Sequence, residues 1–201
     1  MLQELPKIQD FYKRQLLKHG PENPMALHWI SKETQEIRFI ALSLVGELEG
    51  RSVLDLGCGV GDLYGYFKKE DIRTHYTGWD ISEEMITAAK NNYPEAKFEV
   101  KNIQIMQELP QFDYVLASGT MNVKINGHDA WVKMMIRSMF SAAKRGVGFN
   151  LLSISSPEKD DVFYYADPVQ ILSFCRTLTP YVSLRHDYLP GDFTVYMQKK
   201  I

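Results

Sequence analysis

Three glycines at alternate positions, Gly57, Gly59 and Gly61, directly follow the short apolar run 52–56. Glycine lets a tight turn adopt backbone conformations closed to other residues, and its lack of a side chain lets the backbone approach a ligand closely. The apolar run predicts a buried strand, and the residues after the glycines have helical spacing. We therefore expect a ligand to lie directly over the backbone of this strand-to-helix turn.

The residue after the glycines, Asp62, limits which ligand the turn can bind. It occupies the position at which the GxGxxG motif of dinucleotide-binding proteins has its third glycine, beside a pyrophosphate. A carboxylate there would repel phosphate, and the Gly-Lys-Ser/Thr sequence of Walker loops does not follow. The turn therefore favours a nucleoside without phosphates, whose positive or zwitterionic group tolerates Asp55 and Asp62 nearby.

Another aspartate, Asp80, ends the next predicted strand, about twenty residues after the glycine turn. At this place its carboxylate can accept hydrogen bonds from both hydroxyls of a ribose. Asp80 could instead cap the helix that follows, but Ser82 is better placed for capping. We expect Asp80 to bind the ribose, with Ile81 and Met85 after it as further ligand contacts.

Helical and strand-like segments alternate along the chain and bring these residues to one edge of a sheet. The spacing predicts helices over 3–19, 32–48, 82–92, 129–143 and 167–175 and strands over 52–56, 76–80, 97–101, 112–117, 147–152, 181–188 and 193–199. Alternating strands and helices are typical of parallel βαβ units. The last two strands are joined by too few residues for a crossover helix and must be antiparallel.

The expected fold is therefore α/β. We expect a three-layer sandwich with helices on both faces of a seven-stranded, mostly parallel sheet, in which the C-terminal β-hairpin supplies one antiparallel strand. In the second helix Ile37, Ile40, Ala41, Leu44 and Leu48 recur on one face, which predicts that this face is buried.

The composition is that of one ordinary globular domain. Of the 201 residues 45% are hydrophobic, and 23 Lys plus Arg against 25 Asp plus Glu leave a formal net charge of −2, without the basic field that would attract nucleic acid. Two distant cysteines exclude a disulfide framework or a zinc site built from cysteines alone, and no signal or membrane-spanning segment is visible. We expect a cytoplasmic protein with one domain, 1–201, in which a helical cap (1–48) precedes a Rossmann-like core (51–201).

The runs VLDLGCGVGDL and GWDIS closely match the first two motifs of class I methyltransferases that use S-adenosylmethionine. The sequence resembles this family in its architecture from roughly residue 33 onward. The resemblance implies a Rossmann-like fold, S-adenosylmethionine as cofactor and S-adenosylhomocysteine as product. It also implies that Gly57, Cys58 and Gly59 line the methionine and ribose part of the cofactor, that Asp55 helps to hold its amino group and that Asp80 binds its ribose diol.

Three further sites follow from the same resemblance. Asn102 and Ile103 match the position at which the family recognises adenine, where the Asn102 amide oxygen can accept a hydrogen bond as the family's frequent Asp does. Ser118 and Gly119 match the floor beneath the sulfonium. Arg38 could pair with the methionine carboxylate, or it could be a solvated charge on a helix.

The catalytic candidates are less well defined. Methyl transfer from a sulfonium is an in-line displacement that depends on alignment, and a general base is needed only when the acceptor is protonated. His128, His186 and Tyr188 are candidates, but a helix start, a core-facing strand position and a hairpin turn explain them without a catalytic role, and for His186 the core-facing position is favoured. Further polar or aromatic residues near the same edge are His28, Trp29, Asn122, Lys124 and Asp192.

The acceptor is expected to be a small molecule, with a protein side chain as the next choice. The strand end ASGTMN lacks the Asn/Asp-Pro-Pro-Tyr/Phe run associated with methylation of exocyclic or amide nitrogens, and no inserted domain or basic stripe would hold DNA or RNA. Two alternatives remain open. One is a catalytically silent protein that binds S-adenosylmethionine or S-adenosylhomocysteine, and the other is a nicotinamide-dependent oxidoreductase, which Asp62 disfavours.

Overall fold

A seven-stranded sheet forms the centre of the computed structural model, which describes residues 4–20 and 31–200. The strands are β1 (Ser52–Leu56), β2 (His75–Asp80), β3 (Lys97–Val100), β4 (Phe112–Ala117), β5 (Ala143–Leu152), β6 (Val182–Leu189) and β7 (Asp192–Gln198). The helices are α1 (Leu5–His19), α2 (Lys32–Ser43), α3 (Asp62–Lys69), α4 (Glu83–Asn92), α5 (His128–Ala142) and α6 (Pro168–Arg176), with a short 3₁₀ turn over Ile103–Ile105.

The order of the strands is β3-β2-β1-β4-β5-β7-β6. Strands β1 to β5 pair in parallel, whereas β7 runs antiparallel to both of its neighbours, β5 and β6. The predicted fold class, with one reversed strand from the terminal hairpin, is confirmed. Because the chain leaves β1 toward β2 on one side and places β4 on the other, a crevice opens above the carboxyl end of β1, where open α/β sheets bind ligands.

Two apolar clusters, one on each face of the sheet, make the three layers. Residues of α5, α6 and α1 form the first cluster, which includes Trp131, Ile136 and Ile171 packed with inward-facing residues of β4 and β5. Residues of α2, α3 and α4 form the second, which includes Leu42 and Phe67. Helices therefore cover both faces, as the alternating pattern predicts.

The second helix differs from its prediction in length and in the face that it buries. It ends at Ser43. Of the residues that the apolar periodicity places inside, Ala41 and Leu48 are buried, whereas Ile40 and Leu44 are 51% and 58% exposed. The buried face also includes Gln35 and Arg38, whose polar groups find partners within the protein. Apolar periodicity misses a helix face that is buried through hydrogen bonds and ion pairs.

Local capping explains where the helices begin. Ser31 and Thr34 form a reciprocal capping box at the start of α2, and Ser82 accepts a hydrogen bond from the Met85 N–H at the start of α4. The Asp167 side chain likewise accepts hydrogen bonds from backbone N–H groups at the start of α6, whose first residue is Pro168. Within the described residues, no helix is both long and apolar enough to cross a bilayer.

Candidate active site

The glycine turn is held against the end of β2 by its own backbone. The N–H groups of Gly57 and Cys58 both donate to the Trp79 carbonyl, at 2.7 and 3.0 Å. Gly57 and Gly61 have φ of +73° and +91°, and a Cβ at Gly57 would collide with the Thr120 side chain. Only glycine fits at position 57 without strain, and the Thr120 side chain lies directly against its backbone.

Asp80 stands at the end of β2 and connects two parts of the site. One carboxylate oxygen accepts a hydrogen bond from the Gly59 N–H at 3.0 Å, and the other accepts one from the Ser82 N–H at 2.9 Å. Burial raises the pKa of this carboxyl, and the three backbone N–H donors around it oppose that rise. Since Ser82 caps α4, the capping alternative for Asp80 is wrong.

A cavity of about 610 Å³ opens over the carboxyl ends of the strands. Both the glycine turn and Asp80 form part of its wall. Of the residues that the sequence predicts to bind the cofactor, all but two line it: Arg38, Gly57, Gly59, Asp80, Ile81, Met85, Asn102, Ile103, Ser118 and Gly119. The motifs are thus brought together around one space.

Asp55 and Cys58 do not line the cavity, contrary to their predicted contact with the cofactor. The Asp55 side chain is buried beneath the turn and accepts a hydrogen bond from the Tyr76 hydroxyl at 2.6 Å. Its burial raises its pKa to about 7, a rise that the Tyr76 hydrogen bond opposes and the nearby Asp80 and Asp62 increase. These two side chains support the turn from below.

Arg38 is a buried wall residue whose guanidinium already has a carboxylate partner. It donates from Nε and from one terminal nitrogen to the two oxygens of Asp192, at 2.7 and 2.6 Å, and from the other terminal nitrogen to the Thr34 carbonyl. Only 6% of the residue is exposed, so the interpretation as a solvated helix charge is wrong. The pair fixes the tip of the β6–β7 hairpin against α2.

Side-chain hydrogen bonds also fix the other two predicted ligand positions. The Asn102 amide oxygen accepts from the Gln104 N–H at 2.9 Å and caps the 3₁₀ turn, so it already has a donor. Asn150, buried at 1% exposure on β5, accepts from the Gly119 N–H and donates to the Ser118 hydroxyl. Sequence reasoning missed Asn150, because it lies within an apolar strand pattern.

Comparisons with known proteins agree with this arrangement. Residues 47–178 match the family model described as a methyltransferase domain. The Mycobacterium tuberculosis protein Rv1506c, which is named as a methyltransferase, is 34% identical over 166 residues, covering 79% of this chain and 99% of Rv1506c. The chain belongs to the S-adenosylmethionine-dependent methyltransferases.

Other relatives of this methyltransferase match a smaller part of it or share only its fold. Trans-aconitate 2-methyltransferase of Mycolicibacterium gilvum is 35% identical over 81 residues, which are 40% of this chain and 31% of that enzyme. Magnesium protoporphyrin IX methyltransferase from Synechocystis PCC 6803, with bound S-adenosylhomocysteine, has a TM-score of 0.70 at 15% identity, covering 97% of this chain and 99% of that chain. The fold is thus that of known methyltransferases.

None of the three catalytic candidates of the methyltransferase lines the cavity. His128 is buried and stacked on Tyr164, with its Nδ1 accepting from the Ile125 N–H and its Nε2 2.9 Å from the Met121 carbonyl. Burial lowers the pKa of His128 to about 4, so it is a neutral structural residue that fixes the loop before α5.

The other two candidates lie on β6. His186 is exposed rather than core-facing, because the pairing of β6 with β7 shifts register between Arg185 and Leu189. Tyr188 shares a hydrogen bond of 2.8 Å with the Thr194 hydroxyl. His28 and Trp29 lie outside the described residues. Within the part of the chain that the structure describes, no group of three or more His, Cys, Asp or Glu could hold a metal ion.

Helix α1 contributes a wall that the sequence predicted only as a general cap. The Gln9 amide donates to the Ile81 carbonyl at 2.7 Å, and the Lys13 ammonium lies 2.5 Å from Glu84 at the start of α4. On the other side of the cavity, Phe11 meets Phe163 edge to face. The helix therefore bridges the cavity and places Leu5, Ile8, Gln9 and Tyr12 in its wall.

Proposed function

We propose that this methyltransferase transfers the methyl group of S-adenosylmethionine to a small-molecule acceptor by in-line displacement. One observation carries the proposal: a single cavity is lined on one side by the glycine turn and Asp80 and on the other by side chains that no cofactor motif includes. A donor and an acceptor can therefore lie side by side in one cavity, as an in-line reaction requires.

The residues present fit the proposed cofactor. Asp80 faces the cavity with a charged acceptor for ribose hydroxyls, and the backbone of Gly57 and Gly59, which lines the cavity next to Thr120, would bound the methionine part. Asn102 and Ile103 would bound the adenine, Ser118 and Gly119 would lie beneath the sulfur, and Ile81 and Met85 would contact the nucleoside. When bound, S-adenosylmethionine supplies an activated methyl group. The Asp80 carboxylate lies on this side of the cavity and favours a cationic ligand there.

Arg38 has a smaller proposed role than the resemblance implies. Its two strongest hydrogen bonds go to Asp192, so the guanidinium and this carboxylate largely neutralise each other. We infer that the pair shapes the methionine end of the cavity and adds polar contacts there. Asp55 and Cys58 support the turn rather than contact the cofactor.

The chain contributes to the reaction mainly by alignment and by excluding water. Asn150 holds the Ser118–Gly119 turn, and α1 covers the cavity, so the reacting groups would be confined at fixed orientation. Such confinement contributes roughly 7 to 11 kcal/mol in well-oriented reactions. Since His128 and His186 do not line the cavity, neither is proposed as a general base.

A small acceptor is supported by the size of the cavity, about 610 Å³ for donor and acceptor together, and by the formal net charge of −2, which offers no attraction to a nucleic acid. The partial relative from Mycolicibacterium gilvum is named for methylating trans-aconitate, itself a small molecule. We also propose one domain with residues 1–48 as a cap on the core 51–201, and a cytoplasmic setting, because Cys58 and Cys175 are free, buried thiols.

The proposal is tested in two stages. Calorimetry should show one-to-one binding of S-adenosylhomocysteine and S-adenosylmethionine, with no binding of NAD at the same concentrations. Release of S-adenosylhomocysteine should then depend on an added acceptor when a panel of small molecules is screened. Tight cofactor binding without turnover across the panel would instead indicate a silent binding protein, and preference for NAD would refute the cofactor.

A further inference from the structure

The part of the cavity beyond the cofactor motifs is walled mainly by apolar and aromatic side chains. We term acceptor half the part of the wall formed by Leu5, Ile8 and Tyr12 of α1, Trp131 and Met135 of α5, Leu152, 156–160, Phe163, Tyr165 and 189–191. Four aromatic rings from three separate segments belong to it. Such a surface favours a molecule with an apolar, planar body, because rings stack on one another or meet edge to face.

These rings are held in place without a ligand. Phe163 meets the ring of Phe11 edge to face, with 6.2 Å between centroids. The Tyr165 hydroxyl accepts a hydrogen bond from the Asp160 N–H at 2.8 Å, and the Lys159 ammonium lies 5.8 Å from the Tyr165 ring centre. A planar molecule would therefore meet an ordered surface and would not need to order these side chains on binding.

The charged groups of the acceptor half leave it with a small negative excess. Arg38 and Asp192, at the methionine end, are paired with each other in a buried, two-point contact, and Lys101 lines the cavity beside Asn102, on the cofactor side. The acidic and basic side chains of the acceptor half itself are Lys159 and its neighbours Glu158 and Asp160, all of them exposed. Among the described residues of the acceptor half, one cation thus stands against two carboxylates.

This balance limits the charge of the acceptor. An acceptor with several carboxylates would face the extra negative charge, and the buried guanidinium of Arg38 at the neighbouring methionine end is already paired with Asp192. A cationic acceptor would be repelled by the sulfonium that it must approach. The acceptor half and the sulfonium together therefore favour a molecule without net charge.

We propose that the methyl acceptor is an uncharged molecule with a planar, apolar body, and that Glu158 and Asp160 weaken the binding of anionic analogues by charge repulsion. The inference rests on the proposed methyltransferase function, since it assigns the acceptor half of the same cavity. It distinguishes this enzyme from its partial relative of Mycolicibacterium gilvum, which is named for trans-aconitate, a tricarboxylate.

The test compares two probes that differ in one carboxylate. The affinities of 2-naphthol and 6-hydroxy-2-naphthoate are measured by calorimetry with the complex of the protein and S-adenosylhomocysteine. We expect 2-naphthol to bind at least about tenfold more tightly than its carboxylated analogue, and trans-aconitate not to bind. Equal or tighter binding of the carboxylated probe, binding of trans-aconitate, or binding of neither naphthol would overturn the inference.

Two variants check the source of the discrimination. Glu158→Gln removes one cavity carboxylate. It should reduce the ratio of the affinities for 2-naphthol and 6-hydroxy-2-naphthoate by about two- to threefold, while the affinity for 2-naphthol itself stays the same. Asp161→Asn is the matched control, because Asp161 lies in the same loop but does not line the cavity. It should leave the ratio of the two affinities unchanged. Equal effects of both substitutions would refute the role of Glu158. Loss of S-adenosylhomocysteine binding in the unmodified protein would instead overturn the proposed function, and this inference with it.

Discussion

Replacing Asp80 with alanine removes the charged acceptor at the centre of the proposed cofactor site. The carboxylate accepts hydrogen bonds from the N–H groups of Gly59 and Ser82 and faces the cavity. Hydrogen bonds to charged groups contribute about 1.5 to 3 kcal/mol, and water in the enlarged cavity would replace part of the loss. We expect binding of S-adenosylhomocysteine to weaken by about 1 to 3 kcal/mol, which is a rise in Kd of about 5- to 150-fold.

Calorimetry with S-adenosylhomocysteine measures this change directly. Asp62→Asn is the control, because Asp62 is a neighbouring carboxylate that hydrogen-bonds Gln35 and does not line the cavity. The Kd of S-adenosylhomocysteine for this control variant should stay within about twofold of the Kd for the unmodified protein, since the ligand carries no net charge. Thermal unfolding confirms that each variant is folded, and Asp80→Asn serves if the alanine variant is not. A folded Asp80→Ala protein with unchanged affinity would show that the ribose assignment is wrong.

Three further substitutions test the supports of the site. Burial raises the pKa of Asp55 to about 7 from a usual 3.8, so its contribution to stability is full below pH 4 and is lost as the pH rises to about 7. Urea unfolding without ligand measures the free energy of unfolding at each pH. Asp55→Asn should reduce the change in this free energy between pH 4 and pH 7 by up to about 4 kcal/mol. Arg38→Met leaves Asp192 buried without its ion-pair partner and should cost about 3 to 5 kcal/mol in chemical denaturation, whereas replacing both residues with apolar ones should cost less. Gly57→Ala should lower the Tm and weaken S-adenosylhomocysteine binding more than Gly127→Ala, because both glycines have positive φ but only Gly57 lacks space for a Cβ.

Most of the fold follows from local patterns in the sequence. Short apolar runs that end in glycine or a polar residue predicted every strand to within a few residues, and the four-residue link before β7 required an antiparallel pair. Helix α2 was the main error. Its buried face contains Gln35 and Arg38, whose burial depends on Asp62 and Asp192, and no local pattern reveals such partners.

The candidate site was predictable where its parts are close in sequence. The glycine turn and Asp80 lie within one βαβ unit, so their spacing alone indicates that they meet. The role of Asn150 and the bridge made by α1 could not be predicted, because they depend on contacts between distant segments. His128 illustrates the same limit, since a histidine at the start of a helix looks available until the loop that buries it is in place.

The pairing of α2 with β7 affects when the protein can become active during its synthesis. Tyr196 donates to the Ala41 carbonyl, Gln198 donates to the Val45 carbonyl at 2.5 Å, and Asp192 holds Arg38, which is 154 residues earlier in the chain. Strand β7 also lies between β5 and β6. A chain still growing on the ribosome would therefore have an open sheet edge and an incomplete cavity until β7 emerges. Methyl transfer would begin only after this late step, and a premature stop codon before residue 192 would leave an inactive product with an exposed β5 edge.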